Sequence, residues 1–142
     1  MKYYKTGFVI LILTAVSCNP FGTDVYSVVK DAYNDSVETI DFSEVMGFEW
    51  DTMYWFPMNI PLEEVNSIVN INSFWQDIGD RIVFVKDKRI VYYQEFFPCS
   101  EVPLKRICFD PNSIHIISRE DALFLVRRVS DKLFVLSIIQ NN

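Results

Sequence analysis

Between Phe48 and Met58 the chain alternates with a period of two. Phe48, Trp50, Tyr54 and Phe56 share one parity, and Glu49, Asp51, Met53 and Trp55 share the other. Successive side chains of an extended strand point to opposite faces, so the pattern predicts a strand with one buried, aromatic face. Pro57 and Pro61 then break it. Pro61 suits the first turn of a helix, and Glu63 and Glu64 follow it where acids are favourable. Leu62, Val65, Ile68 and Val69 give that helix an apolar side, and Asn70-Ile71-Asn72-Ser73 stops it.

The other segments fill in a sheet. Residues 81–86 and 89–97 are rich in Ile, Val, Phe and Tyr and flank Asp87-Lys88, which signals a hairpin. Residues 114–117 form a short possible strand. Residues 122–129 and 133–139 flank Ser130-Asp131-Lys132 as a second hairpin. A helix through Arg128, capped by Ser118-Arg119-Glu120-Asp121, is the alternative; density in both parities and the following turn favour strand. Upstream, Val25, Val28, Val29 and Ala32 form one stripe over residues 24–33, with Thr23 or Asp24 as cap. The order is helix, strand, helix, hairpin, hairpin. It predicts an α+β domain: an antiparallel sheet of four to six strands with two helices packed on one face. Half of the 142 residues are apolar and 23% are charged, which excludes intrinsic disorder. One globular domain over residues 24–142 follows.

The first residues carry an address. Lys2 and Lys5 precede a ten-residue apolar run, Gly7 to Val16, and Ser17-Cys18 follows. This is the charged, apolar and small-residue layout of a secretory signal. Ten apolar residues are too few to span a bilayer, which needs about 20. Ala15-Val16-Ser17-Cys18 resembles a bacterial lipobox, with Ala15 where such boxes more often carry Leu. The resemblance implies cleavage after a signal peptide of residues 1–17 and acylation of Cys18. Residues 18–23 would then be a short tether. Several acyl chains, at about 0.8 kcal/mol per buried methylene, make such an anchor effectively permanent. The expected location is the bacterial cell envelope, lipid-anchored and facing the periplasm or the exterior.

Charge narrows the partners. The formal net charge is −6, and an acidic chain is repelled by nucleic acid, so no nucleic-acid partner is expected. Residues 18–80 hold twelve acids and one base, Lys30, whereas residues 81–142 hold seven acids and ten bases. Either the two halves attract each other within the fold, or an acidic face docks a protein partner with a basic surface.

Little in the sequence promises catalysis. With Cys18 assigned to lipid, Cys99 and Cys108 remain, and an exported chain meets an oxidising compartment, so the two are expected to form a disulfide. Two buried free thiols are the alternative. There is one histidine, His115, and no Cys-x-x-Cys, so no metal site is expected. The four glycines are scattered, which leaves no phosphate-binding loop and no cofactor to expect. Asp77-Ile78-Gly79-Asp80 is too short for a calcium loop and reads as a turn. His115, between two isoleucines, reads as a strand residue pointing outward or bonded locally. Glu49 and Asp51 would lie about 7 Å apart on one strand face, which makes a carboxylate-based hydrolase of glycan material the enzymatic alternative. No catalytic residue is assigned.

Trp55 stands out because it shares parity with Glu49 and Asp51 rather than with the buried rings. An exposed tryptophan beside two acids would form a binding face for a sugar or a protein, unless a helix covers it. The run Trp50-Asp51-Thr52-Met53-Tyr54-Trp55-Phe56-Pro57, followed by the helix at 62–69 and Arg81-Ile82-Val83-Phe84-Val85-Lys86, resembles a group of small bacterial lipoproteins. That group often has Pro-Tyr-Thr where this chain has Pro57-Met58-Asn59. The resemblance spans roughly residues 48–97 and implies an exported α+β protein without an assigned activity. The leading expectation is a non-enzymatic, membrane-tethered binding module, with an immunity or inhibitor protein against an envelope toxin or hydrolase as one form of it. A structural subunit of an envelope assembly is a third class.

Overall fold

The computed structural model describes residues 24–70, 79–96, 98, 99 and 104–139. Residues 1–23, with the signal, the tether and Cys18, lie outside them. The elements are α1 (Val25–Ala32), β1 (Thr39–Asp41), α2 (Phe42–Val45), β2 (Thr52–Phe56), α3 (Leu62–Val69), β3 (Asp80–Lys86), β4 (Arg89–Phe96), β5 (Arg106–Phe109), β6 (His115–Ser118), β7 (Leu123–Ser130) and β8 (Leu133–Ile138).

Local chemistry sets most of these boundaries. The Asp24 carboxylate accepts the Ser27 N–H at 2.7 Å and starts α1. Asp41 does the same for the single turn α2 through the Ser43 N–H at 2.8 Å. Asn70 ends α3 in the left-handed conformation at φ 57°, which Asn tolerates better than most residues. Asp87 and Lys88 both take positive φ, 48° and 61°, in the two-residue turn between β3 and β4. That mirror-image turn matches the twist of the strands it joins.

The strands form two sheets, ordered β4-β3-β2-β6 and β1-β7-β8-β5. All neighbours are antiparallel except β5 and β8, which run parallel. The class is α+β, as the order of elements predicts. The single sheet of four to six strands is divided into two sheets of four. The reason is local: β1 and β5 have only three and four residues, too short for a period to mark, and they flank the second hairpin to complete its own sheet.

The inner faces of the two sheets share the main core. Met53, Trp55, Ile82 and Phe84 come from one sheet, and Phe109, Phe124, Phe134 and Leu136 come from the other. Val25, Tyr26 and Val29 of α1 belong to the same core. A second cluster, Phe56, Val65, Val69, Val83 and Val85, lies on the opposite face of the first sheet under α3. The two helices therefore serve different cores rather than one face. With both faces covered, β3 is buried without a break from Asp80 to Val85.

The parity expected for residues 48–58 is interrupted. A bend at Asp51 precedes β2, and the Asp51 N–H and C=O are tied to Val85 and Arg119. Trp50, Met53 and Trp55 consequently enter the main core together, while Phe56 and Tyr54 face the second cluster.

Candidate functional site

The face predicted from Trp55, Asp51 and Glu49 does not exist as such. Trp55 is fully buried, at 0% exposure. Its indole Nε1 donates to Asn112 Oδ1 at 3.1 Å, and its ring lies 4.7 Å from Phe109 and 6.1 Å from Phe96, centroid to centroid. The physical reason is the double-faced burial of this sheet: the parity opposite Tyr54 and Phe56 meets the second sheet, not water.

The two acids brace the fold around that strand. The Asp51 carboxylate accepts the Asp87 N–H at 2.8 Å and the Lys86 ammonium at 3.3 Å. The backbone bond from Asp87 is the main reason its pKa lies below the usual carboxylate value, with Lys86 adding to it. Glu49 receives Arg119 Nη1 at 2.7 Å, and Arg119 Nη2 reaches the Ser43 carbonyl at 3.1 Å. The same guanidinium stands 5.9 Å from the Trp50 ring centre. Both ion pairs join the acid-rich residues 18–80 to the base-rich residues 81–142. Each is largely exposed and contributes little alone.

A different cluster is built more tightly. Among the described residues, the buried charged ones are Asp80, Arg81 and Arg106, at 0%, 1% and 2% exposure. Asp80 and Arg81 open β3, and Arg106 opens β5. Asp80 Oδ1 accepts the Met58 N–H at 2.9 Å, and Oδ2 accepts the Cys99 N–H at 3.1 Å. Arg81 Nη2 donates to the Ile60 carbonyl. Arg106 donates to the carbonyls of Leu104 at 3.0 Å and Cys99 at 3.4 Å. Cys99 and Cys108 form a disulfide across Cα atoms 5.8 Å apart, as the export argument expects. Asp80 Oδ2 lies 3.0 Å from Cys99 Sγ. A bridged sulfur carries no hydrogen, so this is a contact rather than a hydrogen bond from sulfur.

Burial pushes the Asp80 pKa up. The N–H groups of Met58 and Cys99 and the two guanidinium groups oppose that shift without cancelling it. Asp80 was readable in the sequence only as part of a turn. The available signal was a charged residue at the head of an apolar run, Asp80-Arg81 before Ile82 and Arg106 before Ile107.

Two smaller features complete the survey. Lys30, Tyr33, Asp35, Arg128, Asp131 and Phe134 line a shallow depression of about 190 Å³, where Arg128 is already paired with Asp131 at 2.6 Å. His115 Nε2 sits 2.7 Å from the Pro111 carbonyl, a local bond of the kind expected for it. Among the described residues, no group of three His, Cys, Asp or Glu side chains is placed to hold a metal ion. No helix among them is long and apolar enough to cross a membrane. No family model, curated protein or solved structure matches the chain.

Proposed function

We propose that the chain is a lipid-anchored protein of the bacterial envelope that acts as a non-enzymatic binding module. The observation that carries the reading is the order Lys2, Lys5, ten apolar residues, Ser17, Cys18. Two further facts support it. The disulfide suits an exported chain. The first helix begins at Val25, so a tether from Cys18 spans at most roughly 20–25 Å and keeps the domain at the bilayer.

The partner that suits this module is a protein with a basic surface. Residues 18–80 hold twelve acids against one base, and Glu44, Glu63 and Glu64 are exposed. Electrostatic complementarity of that kind raises association rates and disfavours acidic partners. The enzymatic alternative draws no support from Glu49 and Asp51, because Glu49 is engaged by Arg119 and Asp51 by Lys86 and the Asp87 N–H.

Fractionation tests the anchor. The wild-type chain is expected in the membrane fraction, with an acylated Cys18 as its first residue by mass spectrometry. Cys18→Ala is expected to be released or to remain unprocessed. A mature chain that starts elsewhere and carries no acyl mass defeats the reading.

A further inference from the structure

Asp80 is a buried titratable group with no task in the binding reading, and it touches the one sulfur pair of the domain. We propose that Asp80 and the Cys99–Cys108 bridge form one proton-coupled redox centre that exchanges with an external dithiol. The distances carry the inference. Asp80 Oδ2 is 3.0 Å from Cys99 Sγ, and its carboxylate is held in place by the N–H groups of Met58 and Cys99. Cys99 Sγ is the electrophile while the bridge is closed and the leaving group as it opens, so an oriented acid–base group within reach of it is placed to protonate the departing sulfur.

The hydrogen between oxygen and sulfur changes owner with the state of the bridge. A closed bridge offers Asp80 lone pairs and no hydrogen, so relative to the open bridge it shifts the balance toward the protonated carboxyl, which can donate its O–H to Cys99 Sγ, against the Met58 and Cys99 N–H groups that favour the ion. An open bridge offers a thiol, whose S–H donates to the carboxylate and favours the ion. Among the described residues, the charged groups acting on Asp80 are Arg81 on β3 and Arg106 on β5, and Glu95 on β4 is the cross-strand partner of Arg81. Both guanidinium groups favour the ion.

The exchange balances. One thiolate of the dithiol attacks Sγ of Cys99, the more exposed residue of the pair, since Cys108 is buried at 5% exposure. The Sγ–Sγ bond breaks, and its electron pair leaves with Cys108, which takes a proton from solvent. The second thiolate of the dithiol attacks its own sulfur in the mixed disulfide. The pair now leaves with Cys99, which takes the proton of Asp80. The dithiol departs as a cyclic disulfide, oxidised by two electrons. The protein holds two thiols and an ionised Asp80, and one proton has been released to solvent overall.

That released proton is the test. A plain exchange between a disulfide and a dithiol, both below their thiol pKa values, has an equilibrium constant independent of pH. The full chain is equilibrated with reduced and oxidised dithiothreitol from about pH 5 to about pH 8, where protein and reagent thiols stay largely protonated. The constant for opening is expected to rise with pH, approaching about tenfold per unit while Asp80 is protonated in the closed form and ionised in the open one. In Asp80→Asn it is expected to be flat. A flat wild-type profile, or a rise that persists in Asp80→Asn, overturns the proposal. Should Asp80→Asn fail to fold, infrared difference spectra of the wild-type chain decide. Reduction is expected to remove a protonated-carboxyl band, and an unchanged carboxyl region overturns the proposal.

Discussion

Replacing Trp55 by Ala removes a ring that joins the two sheets. The side chain leaves β2 fully buried and meets Phe96 of β4 and Phe109 of β5. Deleting a buried aromatic costs about 3–5 kcal/mol, including the cavity left behind. The bond to Asn112 adds about 1 kcal/mol at most, because Asn112 is exposed and its oxygen regains water. Against a total stability of roughly 5–15 kcal/mol, the variant would stand near its unfolding threshold. Urea unfolding followed by far-ultraviolet circular dichroism measures this, with the slope m checked for constancy. A milder pair sharpens the test. Trp50 is equally enclosed, but its Nε1 has no hydrogen-bond partner among the described residues. Trp50→Phe removes a donor whose burial already costs about 1–3 kcal/mol, whereas Trp55→Phe removes a satisfied one. Trp50→Phe is therefore expected to be the less destabilising. A cost for Trp55→Ala below about 1.5 kcal/mol, with m unchanged, refutes the packing argument and restores an exposed tryptophan.

Two further outcomes follow from single contacts. Gly79→Ala places a Cβ against the Phe96 carbonyl oxygen, a backbone atom of β4 that cannot swing aside, and is expected to cost at least about 1–3 kcal/mol in a thermal melt; an unaltered melt contradicts the close approach of these strands. The Tyr92 hydroxyl is pushed up to about 12, by burial first and the nearby Asp24 charge second, and it donates to Gln94 Oε1 at 2.8 Å. Its phenol is neutral in the fold and ionises near 10 when unfolded. Its contribution is thus fully present below about pH 10 and lost as pH rises through about 12. Alkaline unfolding of the wild type is expected to lose part of its pH dependence in Tyr92→Phe.

The sequence by itself determined the kinds of element and most of their places. Periods of two and of three to four, Asp24 before α1, Pro61 before α3 and the Asp87-Lys88 turn are local signals, and each acts through neighbours a few residues away. The Cys99–Cys108 pair was expected too, from the proposed export of the chain rather than from geometry. The tertiary structure alone decided which face of each strand is dry. A period of two reveals that a strand has two faces, but the covering of the second depends on α3 and on a second sheet completed by strands of three and four residues. Trp55 was misplaced for that reason, and the bend at Asp51 shifted the parity upstream of it. The Asp80, Arg81 and Arg106 cluster was equally beyond reach. Arg106 lies far in sequence from the Asp80-Arg81 pair, and a charged residue is buried only when specific partners meet it in space, here Met58, Ile60 and Cys99 from other segments.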